Sequence, residues 1–309
     1  MDKVTVRSPA TLSNLGSGFD VFGLALREPY DVVEAKRIPE RGVIIEGIEG
    51  WGADSITSDP AKNSAGAAAQ AVLERAGSEH GVAIRIKKGI RPCSGIGSSG
   101  SSAAGGACAA NMVLDKPLRS EELVLCAAKA EQVTSGSFHA DNVGPAVLGG
   151  FTVIRAYEPF EIHRMDPPAN LGVVVTMPDL MVNTREARKV LPSKVDLKDM
   201  IFEVGNASSL VLGMCRGDVE LVGRSMADRV IEPARAKLNP HLKEAEAAAM
   251  DAGAAGAFLG GSGPCVIAVY DRKRIEGEGI AEAVRKVYEE HGLKSDNWVT
   301  TWGEGCRRV

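Results

Sequence analysis

Pro92-Cys93-Ser94-Gly95-Ile96-Gly97-Ser98-Ser99-Gly100-Ser101-Ser102-Ala103-Ala104-Gly105-Gly106-Ala107-Cys108-Ala109-Ala110-Asn111 is the stretch from which the fold can be read. Ahead of it, Val82, Ile84 and Ile86 alternate with Ala83, Arg85 and Lys87, the period of a strand. Behind the glycines, an Ala-rich segment reads as a closely packed helix. A glycine-rich turn between strand and helix leaves backbone N–H groups pointing one way, and the positive end of the helix adds to them, which makes a seat for phosphate. Ser98, Ser99, Ser101 and Ser102 would add hydroxyls for phosphate oxygens or a metal. Two other readings stay open. Gly95-Ile96-Gly97-Ser98-Ser99-Gly100 matches the dinucleotide pattern G-x-G-x-x-G, although at least three strand-like runs precede it and the acidic residues near the right distance, Glu121 and Glu122, open a helix. The small residues could also serve tight packing alone. A Walker A loop is excluded, because no lysine lies between Lys88 and Lys116.

A chain of 309 residues, 44% hydrophobic and 25% charged, has room for two domains with proper cores. The net charge of −4 and the scatter of the basic residues argue against nucleic acid or an anionic membrane as partner. No apolar run reaches the length of a membrane span, and Met1-Asp2-Lys3-Val4 leads into a strand, so a cytoplasmic protein without a signal peptide is expected. The six cysteines form no C-x-x-C pair; reduced thiols are expected and a structural zinc site is not.

Along the chain, Val4–Val6 reads as a short strand ended by Ser8-Pro9. Tyr30–Lys36 and Val43–Glu46 read as an antiparallel pair. Asp59-Pro60 reads as a helix start running to Ala76, and Ser120 as the next cap. Asn14 and Asp20 flank a Gly/Ser-rich segment that is either a plain turn or a loop holding a polar ligand. On the helix after Ser120, Val124, Ala127, Ala128 and Glu131 share one face. Glu131 is then either a helix end already in solvent or a buried carboxylate, which must be paired or bound to a cation. His139, with Asp141 and Asn142 beside it, marks a polar loop that is a site candidate. Composition shifts near Tyr157-Glu158-Pro159 and again at Pro167-Pro168, giving an expected N-terminal domain 1–157 and C-terminal domain 158–309. In the second half, helices are expected at 197–215, 218–231 and 240–250. Strands 255–259 and 265–270 are joined there by Gly260-Gly261-Ser262-Gly263-Pro264. Two α+β halves, the second a split βαβ arrangement, fit this order.

Three stretches, Asn14–Asp20, Pro92–Ser102 and Gly260–Pro264, resemble the three motifs of the GHMP kinases (galacto-, homoserine, mevalonate and phosphomevalonate kinases). Within that superfamily the chain is similar to the archaeal-type homoserine kinases in Ser13–Gly23, His139–Val143, Asn183–Arg188 and Ile231–Arg235. It departs from the family's usual loop at Ile96, where Leu is common, and at Gly100-Ser101, where two alanines are common. Ser13 and Ser17 stand where Ala and Pro are common. The resemblance implies an α+β, two-domain GHMP kinase fold, with an N-terminal domain like ribosomal protein S5 domain 2 and a ferredoxin-like C-terminal domain. It implies ATP on Pro92, Cys93, Ser94, Gly95, Ile96, Gly97, Ser98, Ser99, Gly100, Ser101 and Ser102, with Asn63 near the adenine. Mg²⁺ would be held by Ser99 and Glu131.

The implied reaction is ATP-dependent phosphorylation of the side-chain hydroxyl of L-homoserine, giving O-phosphohomoserine for threonine synthesis. Homoserine is a zwitterion, so its site needs an anion for the ammonium and guanidinium forks for the carboxylate. Asp20 suits the first and Arg188 and Arg235 the second, with Asn14, His139 and Thr184 as neutral partners. Asn142, Thr184 and Arg188 form the expected catalytic set; Asn14, Asp20, His139 and Arg235 the substrate-binding set. In relatives such as mevalonate kinase an aspartate proposed as the base occupies the position of Asn142, so here Asn142 would only orient the hydroxyl, unless Asp141 takes that part. Three alternatives remain: a GHMP kinase acting on shikimate or mevalonate, an NAD(P)-dependent oxidoreductase, and a nucleotide-binding module without turnover. The sequence leaves room for a homodimer without requiring one.

Overall fold

The computed structural model describes residues 2–136, 138–182 and 184–309; the side chains of Thr134, Ser135, Thr184 and Arg185 lie outside the description. The first half runs β1 (Lys3–Ser13), β2 (Phe22–Ile38), β3 (Val43–Gly50), α1 (Ser64–Ala76), β4 (Gly81–Lys88), α2 (Ser98–Met112), α3 (Ser120–Ser135), α4 (Val143–Leu148), β5 (Phe151–Tyr157) and β6 (Phe160–Met165). The second runs β7 (Leu171–Pro178), α5 (Thr184–Lys189), α6 (Leu197–Arg216), α7 (Val219–Arg224), α8 (Ile231–Arg235), α9 (Leu242–Asp251), β8 (Gly256–Leu259), β9 (Val266–Asp271), α10 (Gly277–Glu290), β10 (Ser295–Thr301) and β11 (Arg307–Arg308).

The first sheet has the order β11-β1-β2-β4-β3, with the β5–β6 hairpin attached to β2. β1 is far longer than its expected core. It absorbs Ser8 and Pro9 because a register shift between Pro9 and Thr11 places the proline at an irregularity in the ladder. The expected antiparallel pairing of β2 with β3 does not occur. β4 lies between them, antiparallel to β2 and parallel to β3. Burial explains the swap: β4 is buried along most of its length and takes an interior place, whereas β3 is half-exposed throughout and suits an edge. The division expected at 157/158 falls in the turn of the β5–β6 hairpin, both strands of which belong to this sheet.

Three helix boundaries differ from expectation, each through a specific hydrogen bond. α1 begins at Ser64 rather than beside Asp59, because Asn63 Oδ1 accepts the N–H groups of Ala65 (3.0 Å) and Gly66 (3.2 Å). α3 is preceded by Arg119, whose N–H donates to the Glu122 carboxylate at 3.1 Å. α7 ends at Arg224, and α8 starts separately because Asp228 accepts the N–H groups of Val230, Ile231 and Glu232.

The second sheet has the order β10-β7-β9-β8, every neighbour antiparallel. Numbered within this half, that is 4-1-3-2 with helices in the crossovers, the ferredoxin-like split βαβ arrangement. One core lies between the helices and the first sheet (Val6, Val33, Ile84, Ala107, Val124) and another over the second sheet (Val174, Leu242, Ile280, Tyr288). A third joins the halves, where Leu12, Leu15 and Ile96 meet Val173 and Phe258.

α2 is buried along nearly its whole length. A Cβ on Gly105 would stand 2.7 Å from a Val33 methyl, and one on Gly106 2.2 Å from the Ala65 carbonyl oxygen. The tight-packing reading of the small residues is therefore correct for the body of the helix. Intrinsic propensity would make Gly106→Ala stabilising by about 1 kcal/mol. The steric contact with α1 reverses that sign, and urea denaturation should show a loss of about 1–3 kcal/mol.

Candidate active site

One cleft at the junction of the halves gathers residues from all three motifs, with the start of α2 at one end and Asp20, His139, Arg188 and Arg235 at the other. The loop before α2 is held in shape by its carbonyls. Ile96 O accepts the Thr11 N–H (3.1 Å), and Ser94 O accepts the Cys265 N–H (3.4 Å). The first turn of α2 closes where Ser101 N–H donates to Gly97 O (2.8 Å), so the N–H groups of Ser98, Ser99 and Gly100 precede the first intrahelical bond. Gly95 and Gly97 have φ of 85° and 70°. A Cβ on Gly97 would lie 2.1 Å from the Thr11 hydroxyl, and one on Gly95 2.5 Å from Gly260 O. The second contact shows why the motif at Gly260–Pro264 exists: it packs directly on the α2 loop. The first motif is anchored likewise, by Ser17 Oγ donating to Ser225 O at 2.9 Å.

The dinucleotide reading fails on topology. The glycine pattern follows β4, an inner strand antiparallel to its neighbour β2, and not the first strand of a parallel sheet.

Only one of the four serines offers its hydroxyl as expected. Ser98 donates to Ile90 O (3.0 Å), Ser101 to Ser8 O (3.0 Å) and Ser102 to Asp31 (2.9 Å), so these three tie the loop to the sheet. The side chains of Ile96 and Ser101 are wholly buried and do not line the cleft. Ser99 does, and donates to Glu131 Oε2 at 2.7 Å. Glu131 is buried rather than emerging into solvent; desolvation raises its pKa, while hydrogen bonds from Ser99 and Ser64 oppose the shift. Ser94 Oγ, also on the cleft wall, is a buried hydroxyl without a hydrogen-bond partner among the described residues. A hydroxyl beside a buried carboxylate is a donor set for a hard divalent cation. Asn63 lines the cleft too, but its amide is engaged: besides capping α1, its Nδ2 donates to Thr57 O at 2.9 Å.

At the opposite end, Arg188 Nη2 donates to both oxygens of Asp20 (2.9 and 3.0 Å) and meets His139 Nδ1 at 3.0 Å. Its Nε is buried without a hydrogen-bond partner among the described residues. Arg235, 4% exposed, donates to Gly261 O (2.7 Å) and Ala187 O (3.2 Å). Both guanidinium groups lie over the Phe19 ring, at 5.5 and 5.4 Å. Asn14, with φ of 70°, accepts the Asp20 N–H through Oδ1 (3.1 Å), and both residues line the cleft. Asn142 Oδ1 accepts the Thr11 hydroxyl at 2.9 Å, and its side chain abuts the positions where Cβ atoms on Gly97 and Gly100 would stand. Burial lowers the pKa of His139, aided by the two arginines and opposed by Asp20. Burial, with Asp20 nearby, raises the Asp141 carboxyl to about 7. The Thr184 side chain lies outside the described residues.

Sequence reasoning missed a buried ion pair beneath α2. Lys88 Nζ contacts the Asp31 carboxylate and donates to Ser102 Oγ (2.7 Å) and Ser98 O (3.1 Å); Asp31 also accepts the N–H groups of Gly89 (3.0 Å) and Ile90 (3.1 Å). The signal was present, since Lys88 continues the inward parity of Val82, Ile84 and Ile86. Phe19, and Tyr157 donating to Asp20 O at 2.8 Å, were also missed, because aromatics carry no charge that marks them for a site.

The N-terminal GHMP kinase domain model matches residues 63–150 and the C-terminal one residues 210–290. A homoserine kinase of Halorubrum lacusprofundi is 45% identical, with 98% of each chain covered. One of Pyrococcus abyssi is 40% identical, with 99% of each covered. The crystal structure of homoserine kinase from Cytophaga hutchinsonii superposes with a TM-score of 0.94 at 34% identity, covering 100% of this chain and 98% of that one.

Lys88→Met should cost about 3–5 kcal/mol in urea unfolding, because it strands the Asp31 carboxylate in the core; adding Asp31→Asn should recover part of that loss. Asp141 gives a pH test. Its folded-state pKa lies above the ordinary carboxylate value, so its contribution to stability is fully present in acid and lost as pH rises through about 7. Between mildly acidic and mildly alkaline pH, the urea midpoint of the parent should therefore fall more than that of Asp141→Asn.

Proposed function

This chain belongs to the GHMP kinases and, within them, to the homoserine kinases of archaeal type, and from that premise we propose how its own residues carry out the transfer of the ATP γ-phosphoryl group to the hydroxyl of L-homoserine. The observation that carries the substrate assignment is the Asp20–Arg188 pair with Arg235 beside it. A zwitterion inserts between the members of such a pair. Its ammonium takes Asp20, and its carboxylate takes Arg188, whose Nε is a buried donor without an acceptor among the described residues. Arg235 then adds a second guanidinium, held in place by two backbone carbonyls. Shikimate and mevalonate have the carboxylate without the ammonium and would leave Asp20 uncompensated.

At the other end, the N–H groups of Ser98, Ser99 and Gly100 and the positive end of α2 receive the phosphate oxygens of ATP. The residues that would hold Mg²⁺ are Ser99 and Glu131. When bound, the ion neutralises charge developing on the phosphates. Asn142 stands between the two ends, against the start of α2 and one residue from Asp141, and orients the acceptor hydroxyl. Phosphoryl transfer through a loose transition state depends mainly on positioning and charge neutralisation, so no strong base is required. Asp141 serves the shape and charge balance of the pocket, not proton abstraction.

In an ATP-consumption assay, homoserine should be turned over with kcat/KM on the order of 10⁴-fold above shikimate or mevalonate; equal use of mevalonate would overturn the assignment. Glu131→Gln should lower kcat by roughly 10²–10³-fold. Asp141→Asn should lose much less than the roughly 10²–10⁴-fold that a general base supplies.

A further inference from the structure

Outside the cleft, in the second half, His241, Glu244 and His291 come together with one potential ligand atom from each within 4.8 Å of the others. His241 immediately precedes α9, Glu244 lies in its first turn, and His291 follows the last turn of α10. The two imidazoles stack at 3.8 Å with their planes 17° apart, and His291 Nε2 meets Glu244 Oε2 at 2.8 Å.

The three side chains rest on a fixed base. The His241 ring stands edge-on to the buried ring of Tyr288. Asn239 holds that phenol (2.8 Å) and Pro264 O (2.9 Å) through Nδ2, while its Oδ1 accepts the His241 N–H at 3.3 Å. Lys243, the cation next to these ligands in sequence, is engaged with Glu232 and Glu246. Glu244 and His291 are solvent-accessible, with side chains 52% and 37% exposed, so an ion can enter and the rings can turn.

We propose that His241, Glu244 and His291 form a binding site for a borderline transition-metal cation of the Zn²⁺ class, linking the start of α9 to the end of α10. Two imidazoles and one carboxylate are a common zinc donor set, with water completing the tetrahedron, and Zn–ligand bonds of about 2.0–2.1 Å place neighbouring ligand atoms about 3.3 Å apart. The potential ligand atoms lie within 4.8 Å of one another and the His291–Glu244 contact is 2.8 Å; for both imidazoles to face one ion their rings must turn out of the stack, and the exposure of His291 gives that ring room to do so. Imidazole donors select against Mg²⁺, which requires oxygen ligands, so this site and the Ser99–Glu131 pair would take different ions. Cysteine spacing could not reveal it, because its ligands come from two helices distant in sequence. The site also lies beside Asn239, which supports the loop that packs on the start of α2.

The test is isothermal titration of the chelator-treated full-length protein with Zn²⁺, comparing the parent with His291→Ala, Glu244→Gln and Asp20→Asn. The last variant reports on the separate Asp20–His139–Asp141 group in the cleft. The proposal expects one Zn²⁺ per chain whose affinity falls about 10-fold or more in His291→Ala and in Glu244→Gln, the scale on which even supporting groups of a metal site act. Asp20→Asn should retain it. Zn²⁺ should also raise the melting temperature of the parent, but not of His291→Ala, as mass action requires. Zinc uptake unchanged by both His291→Ala and Glu244→Gln, or no uptake beyond the cleft group, would overturn the proposal.

Discussion

The structure turns on a carboxylate with no access to water. Asp31 on β2 accepts two backbone N–H groups just past β4, the Lys88 ammonium and the Ser102 hydroxyl, while Lys88 reaches on to the carbonyl of Ser98. One buried pair thus fixes two strands and the first turn of α2 relative to one another. Such a pair is weak evidence for net stability, since desolvating both charges offsets most of their attraction. Its value here is positional: the helix start is held from beneath, and the N–H groups on its open side remain available to a ligand.

Around that fixed start, three segments distant in sequence meet for steric reasons. Gly95 must be glycine because Gly260 O occupies the place of its side chain, and Gly97 because Thr11 does. Arg235 links the same neighbourhood to the Asp20–Arg188 end of the cleft by donating to Gly261 O. The cleft is therefore shared between the halves, and a displacement of the second sheet would disturb both the α2 loop and the two cleft arginines.

Much of this was legible in the residues. Glycines between a strand and a small-residue helix and an acid on an apolar helix face each have few physical explanations: the body of α2 packs tightly and Glu131 is buried, whereas Arg188 and Arg235 were marked only by the family resemblance. What escaped was pairing. Periodicity reports which face of a strand is buried but not which strand lies beside it, so β3 was set against β2 when β4 belonged there. For the same reason the hydroxyls of Ser98, Ser101 and Ser102 looked available although Ser101 and Ser102 bond to the sheet below and Ser98 to Ile90 O just past β4. The Asp20–Arg188 contact joins residues from opposite halves, and no local pattern carries that information.

The edge of β1 is completed by β11, with Val6 and Arg7 facing Arg308 and Arg307, and Val309 N–H donates to Thr5 O at 3.0 Å. During synthesis, β1 leaves the ribosome early and its edge partner very late, after the whole ferredoxin-like half. Until β11 emerges, the nascent chain leaves the Val6-Arg7 part of that edge unpaired, the kind of surface that chaperones mask and on which neighbouring chains template aggregation. Maturation of the first half is thereby tied in time to the emergence of the second.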